Sequence, residues 1–495
     1  MKECFVVLGN QLFEKKNLKD FKNSCEFFIQ EDLGLCSYFK HHKQKIYYFL
    51  ASMREYRDYL KKNNFKVNYI TLDKNISNFK DYFEGLKSFL VSKNIFKINI
   101  FEIEDLEFRK KFEQFCKNNK IELTFHKSPM FLVSRSDYQG MVTTKKPQLA
   151  NFYSNVRKTF EIFVKENKPI GDKWSFDEDN RKRVPKEYES PKSYMFESKH
   201  YEDIKKLINK FFANHFGILE KKIIFPMNFK DSSKVLDNFI NEKLENFGHY
   251  EDFIRINDPY INHSLISAPL NMGLLTPKDV LDRLNLISYS KVGINNYEGF
   301  IRQIFGWREF MRYLNIHYYK DFNKGNFFGN SRKLTKHWYE GTTNIPILND
   351  MISNLNKSGY VHHIPRLMVI SNIMNLSGLK PSEVYKWFME TFIDSSDWVM
   401  TPNVYGMGMF SDGGIFATKP YLCGSNYLLK MSNYSRGDWT HTLDGLYWNF
   451  IYKNKNYFKT NQRLSMMYYT VNKMDKSKIS THISNAKKFI SEYTR

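Results

Sequence analysis

The feature that most constrains the fold is an alternation of short apolar runs with helical stretches over the first 125 residues. Five runs resemble strands, at residues 5–8, 45–50, 67–72, 97–101 and 121–125. Between the second and third runs, residues 53–62 carry apolar side chains at helical spacing. Strands that alternate with helices form a parallel, doubly wound sheet. We therefore predict an α/β domain over residues 1–127.

A ligand site is expected directly after the first strand. Doubly wound sheets bind ligands beyond the carboxyl ends of their strands, and Gly9, Asn10 and Gln11 occupy that position. There is no GxGxxG motif in this segment, and closure of a tight turn would explain Gly9 equally well. The residues alone leave both interpretations open.

The pattern changes twice after the sheet. Residues 128–200 are polar and basic, lose clear periodicity and contain KWSFDEDNRKRVP at 173–185, which predicts a long connection between domains. Residues 201–495 are amphipathic at helical spacing almost throughout, which predicts an all-α domain. The clearest predicted helices are 234–247, 277–287, 296–313, 347–358, 363–377 and 381–392.

Charge and cysteine content limit the partner and the compartment. Lys and Arg number 75 against 53 for Asp and Glu, and the net charge of +22 predicts a polyanionic partner if the excess lies on one face. The five cysteines are scattered and form no CxxC pair, which favours a reduced compartment. No stretch approaches the roughly 20 apolar residues of a membrane span. We expect a cytoplasmic protein without membrane association.

Three segments of the helical half carry residues suited to chemistry. RQIFGWREFMRYL (302–314) interleaves arginines with aromatic rings, which suits phosphates and stacked rings but also a core helix with snorkelling arginines. YVHHIPRLM (360–368) contains adjacent histidines, which point about 100° apart on a helix, so a shared metal site is not expected. One of them is either a proton donor or a structural histidine. The segment 394–414 combines carboxylates with glycines and rings, suited to a flat ligand or to core packing.

Seven segments carry a resemblance to a known family: VVLGNQLF (6–13), HHKQKIYYFLASMREY (41–56), GDKWSFDEDNRK (171–182), INHSLISAPLNMGLLTP (261–277), IFGWREFMRYL (304–314), GYVHHIPRLMV (359–369) and PNVYGMGMFSDGGIFATKPY (402–421). Together and in this order, they resemble the motifs of the cryptochrome and photolyase superfamily, most closely its prokaryotic branch of (6-4) photolyases and iron–sulfur bacterial cryptochromes. The resemblance implies a Rossmann-like antenna domain, a helical FAD-binding domain, and light-driven electron transfer from reduced FAD to a damaged pyrimidine pair in DNA.

The resemblance also implies roles for individual residues. Those implied to hold the flavin or line its cavity are His263, Ser264, Leu265, Ser267, Trp307, Arg308, Glu309, Asp394 and Asn403. Those implied to act at the lesion are His362, His363, Arg366, Tyr421, Tyr427 and Gln303, with His363 as the proton donor. Asp177 is implied to hold a divalent cation such as Mg²⁺ beside the DNA. Gly9, Asn10 and Gln11 would bind an antenna chromophore, 6,7-dimethyl-8-ribityllumazine.

The chain departs from the family's pattern in three places. The four iron–sulfur cysteines are replaced, and four such ligands cannot be exchanged while the cluster is kept, so we predict no cluster; the replacing residues are Ile347, Ser435, Asp438 and His441. In the electron route Trp387 is retained, but Phe388 replaces a tyrosine and Tyr339 a tryptophan. In the antenna domain Asn10 replaces an acidic residue, and a second acidic position is lost at Gly34 or Leu35.

Three hypotheses follow. The first is a monomeric DNA photolyase acting on UV-damaged DNA, which explains the positive charge and the histidine pair together. The second is a blue-light cryptochrome photoreceptor without repair activity, which needs neither His363 nor a basic face. The third is a flavin-free nucleic-acid-binding or structural protein, which would fit the lost cluster.

Overall fold

A five-stranded parallel sheet forms the amino-terminal domain. The computed structural model describes residues 2–144 and 146–495, so Met1 of the predicted first domain and Lys145 of the predicted connection lie outside the described residues. The strands are β1 (Glu3–Val6), β2 (Cys25–Gln30), β3 (Val67–Ile70), β4 (Lys97–Phe101) and β5 (Glu122–His126), in the spatial order β3-β2-β1-β4-β5. Glu3 of β1 pairs with Cys25 of β2 on one side and with Lys97 of β4 on the other. The predicted doubly wound sheet is confirmed.

One predicted strand is wrong. Residues 45–50 lie inside the helix Lys43–Lys62, and the second strand of the sheet is Cys25–Gln30 instead. The run KIYYFL is buried at five of its six positions, because the helix packs both on β3 and on the helix Tyr201–Phe211 of the second domain. A helix that is apolar on several faces cannot be distinguished from a buried strand by periodicity.

Both faces of the sheet are covered. Phe5, Phe27 and Ile29 belong to one core, whereas Cys4 and Phe28 belong to a core on the opposite face, as alternation along buried strands requires. The first core continues into the helical domain. The other helices of this domain are Leu33–Ser37, Leu72–Asn78, Tyr82–Lys93 and Leu106–Asn118, with 3₁₀ turns at Lys15–Asn17 and Lys19–Phe21.

The connection at 128–200 is more regular than predicted. It contains the helix Leu149–Thr159, which buries Phe152, Tyr153 and Val156 and packs on the segment Arg302–Arg308. The expected loss of periodicity is therefore wrong for this part, where the helix is attached to the second domain. The other elements of the connection are the short helix Tyr138–Met141, the hairpin Val164–Lys165 with Lys168–Pro169, and the 3₁₀ turn Asp177–Asp179.

The second domain is helical, as predicted, and each of the six predicted helices coincides with helical structure. None of the described helices is long and apolar enough to traverse a bilayer. The α-helices of the second domain are Tyr201–Phe211, Phe229–Asn238, Leu244–Tyr250, Ser267–Met272, Pro277–Leu284, Tyr289–Val292, Ile294–Ile301, Glu309–Lys324, His337–Glu340, Pro346–Ser358, Asn372–Leu376, Pro381–Thr391, Asp397–Met400, Ser425–Lys430, Asp438–Lys453, Lys455–Thr460, Ser465–Lys473 and Lys476–Tyr493.

Four stretches of this domain are π-helical, at Phe239–Lys243, Arg302–Arg308, Pro365–Ser371 and Thr401–Gly408. The last three contribute side chains to one cavity. Wide turns of this kind shift the register of a helix locally, and they occur frequently at functional sites. The side chains that these three segments contribute to the cavity therefore do not follow regular α-helical spacing.

Candidate functional site

A cavity of about 650 Å³ lies among the helices of the second domain. Its walls combine the loop before Ser267–Met272 with the three π-helical segments. Its size falls within the ordinary range for a cofactor pocket. The predicted residues that line it are Asp177, His263, Ser264, Leu265, Ser267, Gln303, Trp307, Arg308, His363, Arg366, Asp394, Asn403, Tyr421 and Tyr427.

A buried ion pair forms part of the cavity wall. Both terminal nitrogens of Arg366 lie 3.0 Å from the carboxylate oxygens of Asp394, and the Ser267 hydroxyl donates to the same carboxylate at 2.7 Å. Asp394 is only 5% exposed in this pair. The resemblance placed Arg366 at the lesion, but its guanidinium is committed to Asp394. Arg366 therefore positions a carboxylate expected at the flavin.

The adjacent histidines both contact His263 but differ in their surroundings. His362 precedes the helical segment, where its ring stacks on His263 with 4.2 Å between centroids. His363 also reaches His263, with a centroid distance of 5.5 Å. His362 lies outside the helix and does not line the cavity, whereas His363 does, although their ring centroids are 5.7 Å apart. Both histidines therefore lie in one cluster.

Burial distinguishes the two histidines chemically. Desolvation lowers the pKa of His362 and of His263 well below the ordinary histidine value, so both rings are neutral. His363 is 45% exposed, and its Nε2 lies 3.3 Å from a carboxylate oxygen of Asp252. His363 is thus the histidine of the pair that can exchange protons with solvent.

Neither of the candidate metal positions fits an ion well. The ring nitrogens of His263, His362 and His363 lie within 4.8 Å of one another, but two of the rings are stacked at an interplanar angle of 22°. Nearly parallel rings cannot both direct in-plane lone pairs at one ion. Asp177 is engaged through both oxygens, with Arg181 at 2.6 Å and Arg302 at 3.0 Å. The expected divalent cation at Asp177 is not supported by these residues.

Sequence reasoning missed one titratable group in this cavity. Glu251 is 4% exposed, and burial raises its pKa to about 7, with His363 and Arg302 opposing that rise. Its carboxylate accepts hydrogen bonds from Gln303 and Asn180, both at 3.3 Å. In the sequence Glu251 is followed by Asp252. Two adjacent acidic residues are typical of a solvent-exposed surface, so the sequence did not indicate that Glu251 is buried.

Glu309 lies away from the position that the resemblance implied. It is fully buried, and its Oε1 accepts the backbone N–H of Leu132 at 2.8 Å. Arg308 lines the cavity but donates to the Met130 carbonyl at 2.7 Å. The expectation that Glu309 contacts the flavin is corrected: its carboxylate attaches the connection to the helical domain.

Three rings lie in a row beside the cavity. Phe388 lines the cavity, the fully buried Trp387 follows at 5.3 Å between centroids, and Tyr339 follows at 6.5 Å. The Tyr339 hydroxyl donates to Glu390 at 2.7 Å. The residues of the predicted electron route are therefore neighbours, with a poorly oxidisable phenylalanine nearest the cavity.

The positions expected for iron–sulfur ligands do not fit a cluster. Ile347 is fully buried in an apolar core that also contains Trp439, and the Ser435 carbonyl accepts the Trp439 indole N–H at 3.0 Å. Isoleucine offers no ligand atom, and iron–sulfur clusters require thiolates. Packing around Trp439 occupies this part of the fold.

A second cavity of about 1270 Å³ lies between the sheet and the helical domain. Gly9 and Asn10 line it, as predicted for a ligand beyond β1. Gln11 is buried, and its amide donates to the carbonyls of Phe101 and Glu102, so its expected antenna contact is corrected to a link between β1 and β4. Trp398 lines both cavities.

Comparisons with known proteins agree with this geometry. A family model described as deoxyribodipyrimidine photo-lyase-related protein matches residues 5–223, and the FAD binding domain of DNA photolyase matches residues 300–433. A (6-4) photolyase of Agrobacterium fabrum (strain C58 / ATCC 33970) is 30% identical over 486 residues, 95% of each chain. The chain therefore belongs to the cryptochrome and photolyase superfamily, as a photolyase-related flavoprotein with an FAD-binding domain.

Solved structures show the same fold. A bacterial class III photolyase from Agrobacterium tumefaciens superposes with a TM-score of 0.56 at 14% identity, covering 99% of this chain and 98% of that one. An archaeal photolyase from Sulfolobus tokodaii, described with two FAD molecules, gives a TM-score of 0.55 at 14% identity and covers 98% and 100%.

Proposed function

We propose that this flavoprotein repairs DNA in light, with reduced FAD providing an electron to a (6-4) pyrimidine photoproduct. The observation that carries the proposal is the position of His363, an exposed histidine beside a carboxylate in a cavity that also contains Tyr421 and Tyr427. The relative named (6-4) photolyase supports this choice of lesion.

FAD fits the first cavity. The buried Nε2 of His263 has no hydrogen-bond partner among the described residues, and this histidine lines the cavity, as expected for a side chain that meets a ligand. The loop from His263 to Ser267, with Trp307, Asp394 and Asn403, would hold the cofactor. When bound, FAD supplies the light-driven electron. Ser267 and Arg366 fix the Asp394 carboxylate, so its orientation is set before any cofactor enters.

His363 would provide the proton that repair requires. It stays in contact with solvent, so it can be reprotonated between turnovers. Burial raises the pKa of Tyr421 and of Tyr427, which keeps both phenols protonated as hydrogen-bond donors to the lesion. Gln303 would present its amide to the same ligand while its other contact, Glu251, holds it in place.

The charge distribution supports DNA as the partner. Residues 401–495 contain 13 Lys and Arg against five Asp and Glu. Among the described residues none of those 13 side chains forms an ion pair, since the last such pair along the chain involves Lys386 and Glu390. Arg463 of this set contacts Thr418, three residues before Tyr421. Cations without an ion-pair partner in this part of the chain are available to DNA phosphates.

The second cavity would hold an antenna chromophore. It adjoins the first cavity through Trp398, so a chromophore there would lie close enough to pass excitation to FAD. Two chromophores are candidates for this cavity. The archaeal neighbour, described with two FAD molecules, suggests a second FAD, and the motifs suggest 6,7-dimethyl-8-ribityllumazine.

A repair assay tests the proposed function. The protein should show FAD absorption, and under blue light it should restore DNA that carries a (6-4) photoproduct but not DNA that carries a cyclobutane dimer. Dark incubation is the control. Stable FAD binding without repair of either lesion would instead favour the blue-light photoreceptor.

A further inference from the structure

The helix Pro381–Thr391 carries an oxidisable ring and a buried carboxylate side by side. Trp387 and Glu390 are three residues apart, so they are neighbours on the helix surface. Trp387 is fully buried, and Glu390 is 3% exposed. The Tyr339 ring centroid lies 6.5 Å from that of Trp387, and the Tyr339 hydroxyl donates to the Glu390 Oε2 at 2.7 Å. An indole, a phenol and a carboxylate are therefore connected by direct contacts.

Buried hydrogen bonds fix the indole beside the phenol. The Trp387 indole N–H donates to the backbone carbonyl of Trp338 at 2.9 Å, and Trp338 directly precedes Tyr339 in the chain. Trp338 is itself fully buried, and its indole N–H donates to the Tyr493 carbonyl at 2.8 Å. The relative position of Trp387 and Tyr339 is therefore set by the core of the domain.

Glu390 has the arrangement of a proton acceptor. Its Oε1 accepts the backbone N–H of Lys40 at 3.3 Å, and the exposed ammonium group of Lys386 lies 3.9 Å from the same oxygen. These two groups orient the carboxylate, which leaves its Oε2 to the hydroxyl of Tyr339. A base within about 2.6–3.2 Å of the donor atom is close enough for direct proton transfer. The Tyr339 proton therefore has a short path to Glu390.

Tyr339 should lose its proton only when it is oxidised. Burial, followed by the negative charge of Glu390, raises the pKa of the Tyr339 phenol above its ordinary value, so the resting side chain is protonated. Oxidation makes a phenol strongly acidic, and a buried positive charge without a partner is costly. Loss of the electron and loss of the proton are therefore expected to occur together.

The two replacements in this row of rings move the phenol outward. The resemblance expects a tyrosine beside the cavity, but this chain has Phe388 there, which lines the cavity and has no hydroxyl proton to lose. It expects an outer tryptophan, but this chain has Tyr339, whose hydroxyl meets Glu390. Tyr339 is only partly buried, so a reductant in solution can reach it. The oxidisable phenol thus lies at the end of the row that is farther from the cavity.

We propose that Glu390 accepts the proton of Tyr339 when Tyr339 is oxidised, and that the two residues together are the terminal electron donor of this row. Trp387 gives one electron to oxidised FAD excited by blue light, which is the oxidant, and becomes a radical cation. Tyr339 then gives one electron to Trp387 and its hydroxyl proton to Glu390. Trp387 and Glu390 end neutral, and Tyr339 ends as a neutral radical to which a thiol in solution transfers one hydrogen atom. The inference rests on FAD binding and not on the proposed repair reaction, since it needs no DNA.

Transient absorption of the FAD-loaded protein without DNA tests the electron donor. After a blue laser flash, the absorption of a tryptophan radical should decay as that of a tyrosyl radical appears. Tyr339→Phe should keep the first signal and lose the second. Tyr434→Phe is the matched control, because the Tyr434 hydroxyl also donates to a carboxylate, that of Asp350 at 2.5 Å, but its ring is outside the row of Phe388, Trp387 and Tyr339. Tyr434→Phe should behave like the wild type.

Two results of this experiment would overturn the proposal. One is the absence of a tyrosyl signal from the wild type, and the other is an undiminished tyrosyl signal in Tyr339→Phe.

Glu390→Gln tests the proton acceptor. Glutamine keeps the size of the side chain and an oxygen that accepts hydrogen bonds, so the position of Tyr339 should be kept, but a neutral amide is a much weaker base. We expect electron transfer from Tyr339 to Trp387 to slow by about a hundredfold, the lower end of what a positioned base contributes. Signals are normalised to bound FAD. A wild-type rate in this variant would overturn the proposal.

Infrared difference spectroscopy provides a readout that a structural role of Glu390 would not change. In the wild type, the band of a protonated carboxylic acid should appear together with the tyrosyl radical, and isotopic labelling of glutamate should shift that band. Tyr339→Phe and Glu390→Gln should both lack it, so the assignment does not depend on the folding of one variant. A tyrosyl radical without this band, or a band that persists in Glu390→Gln, would overturn the role of Glu390.

The two proposals fail in different ways. A tyrosyl radical with its carboxylic acid band, in a protein that repairs neither lesion, would refute only the proposed function. Repair by a protein that forms no tyrosyl radical would refute only the roles of Tyr339 and Glu390.

Discussion

Replacing His363 with alanine should abolish most repair while leaving the protein folded and loaded with FAD. The side chain is 45% exposed, and its carboxylate contact is a single pair at 3.3 Å. Exposed pairs of this kind contribute about 0–1 kcal/mol to stability. The loss of a general acid, by contrast, costs about a hundredfold to ten-thousandfold in rate, which is about 3–5 kcal/mol in the barrier. The effect on rate should therefore greatly exceed the effect on folding.

His362→Ala provides the control for this prediction. His362 is 2% exposed and stacks on His263, so its removal leaves a cavity and should cost about 2–4 kcal/mol of stability, as for other buried side chains. The assay combines single-turnover repair of a (6-4) oligonucleotide with denaturant unfolding and FAD content for both variants. Wild-type repair by His363→Ala, or a loss of FAD that accounts for its defect, would refute the proton-donor assignment.

Three further results are expected. Anaerobically purified protein should contain no stoichiometric iron or acid-labile sulfide, because the four cluster positions offer no thiolate; finding both would contradict this. The affinity for duplex DNA should fall with salt at a log–log slope of about −0.9 for each phosphate contact, and a flat response would argue against DNA as the partner. Because burial raises the pKa of Glu251 from 4.5 to about 7, the stability that its protonated form contributes is present below pH 4.5 and is lost as pH rises through 7. At pH 8 the free energy of unfolding of Glu251→Gln should therefore exceed that of the wild type by up to about 3 kcal/mol, measured by denaturant unfolding. This difference should vanish near pH 4. A difference independent of pH would contradict the burial argument.

The fold was largely predictable because it depends on periodicity. Four of the five strands and all six selected helices follow from apolar spacing. The exception, residues 45–50, is buried against two domains at once, and a window of sequence carries no information about a second packing partner. The helix Leu149–Thr159 was missed for a related reason, since its apolar residues lie within a polar and basic segment and contact a domain distant in sequence.

The sequence predicted which residues line the candidate site, but not how those residues pair with one another. Motifs brought His363, Tyr421 and Asp394 into one list, and the structure brings them into one cavity. The motifs did not reveal that Arg366 is committed to Asp394 or that both oxygens of Asp177 are occupied by arginines. Such pairings depend on which side chains meet after the chain folds.

The sequence by itself determined the order of the elements, the excess of positive charge and the absence of cysteine from the four positions where the resemblance places cluster ligands, because each is a property of residue identity and spacing. Only the tertiary structure decided which polar atoms are left without partners, since that depends on all the groups around an atom. The Asp394 carboxylate, for example, is held by Arg366 and by Ser267, which lies 127 positions away along the chain. Whether a carboxylate is buried, paired or available to a ligand is decided by packing between domains, and no local pattern in the sequence encodes it.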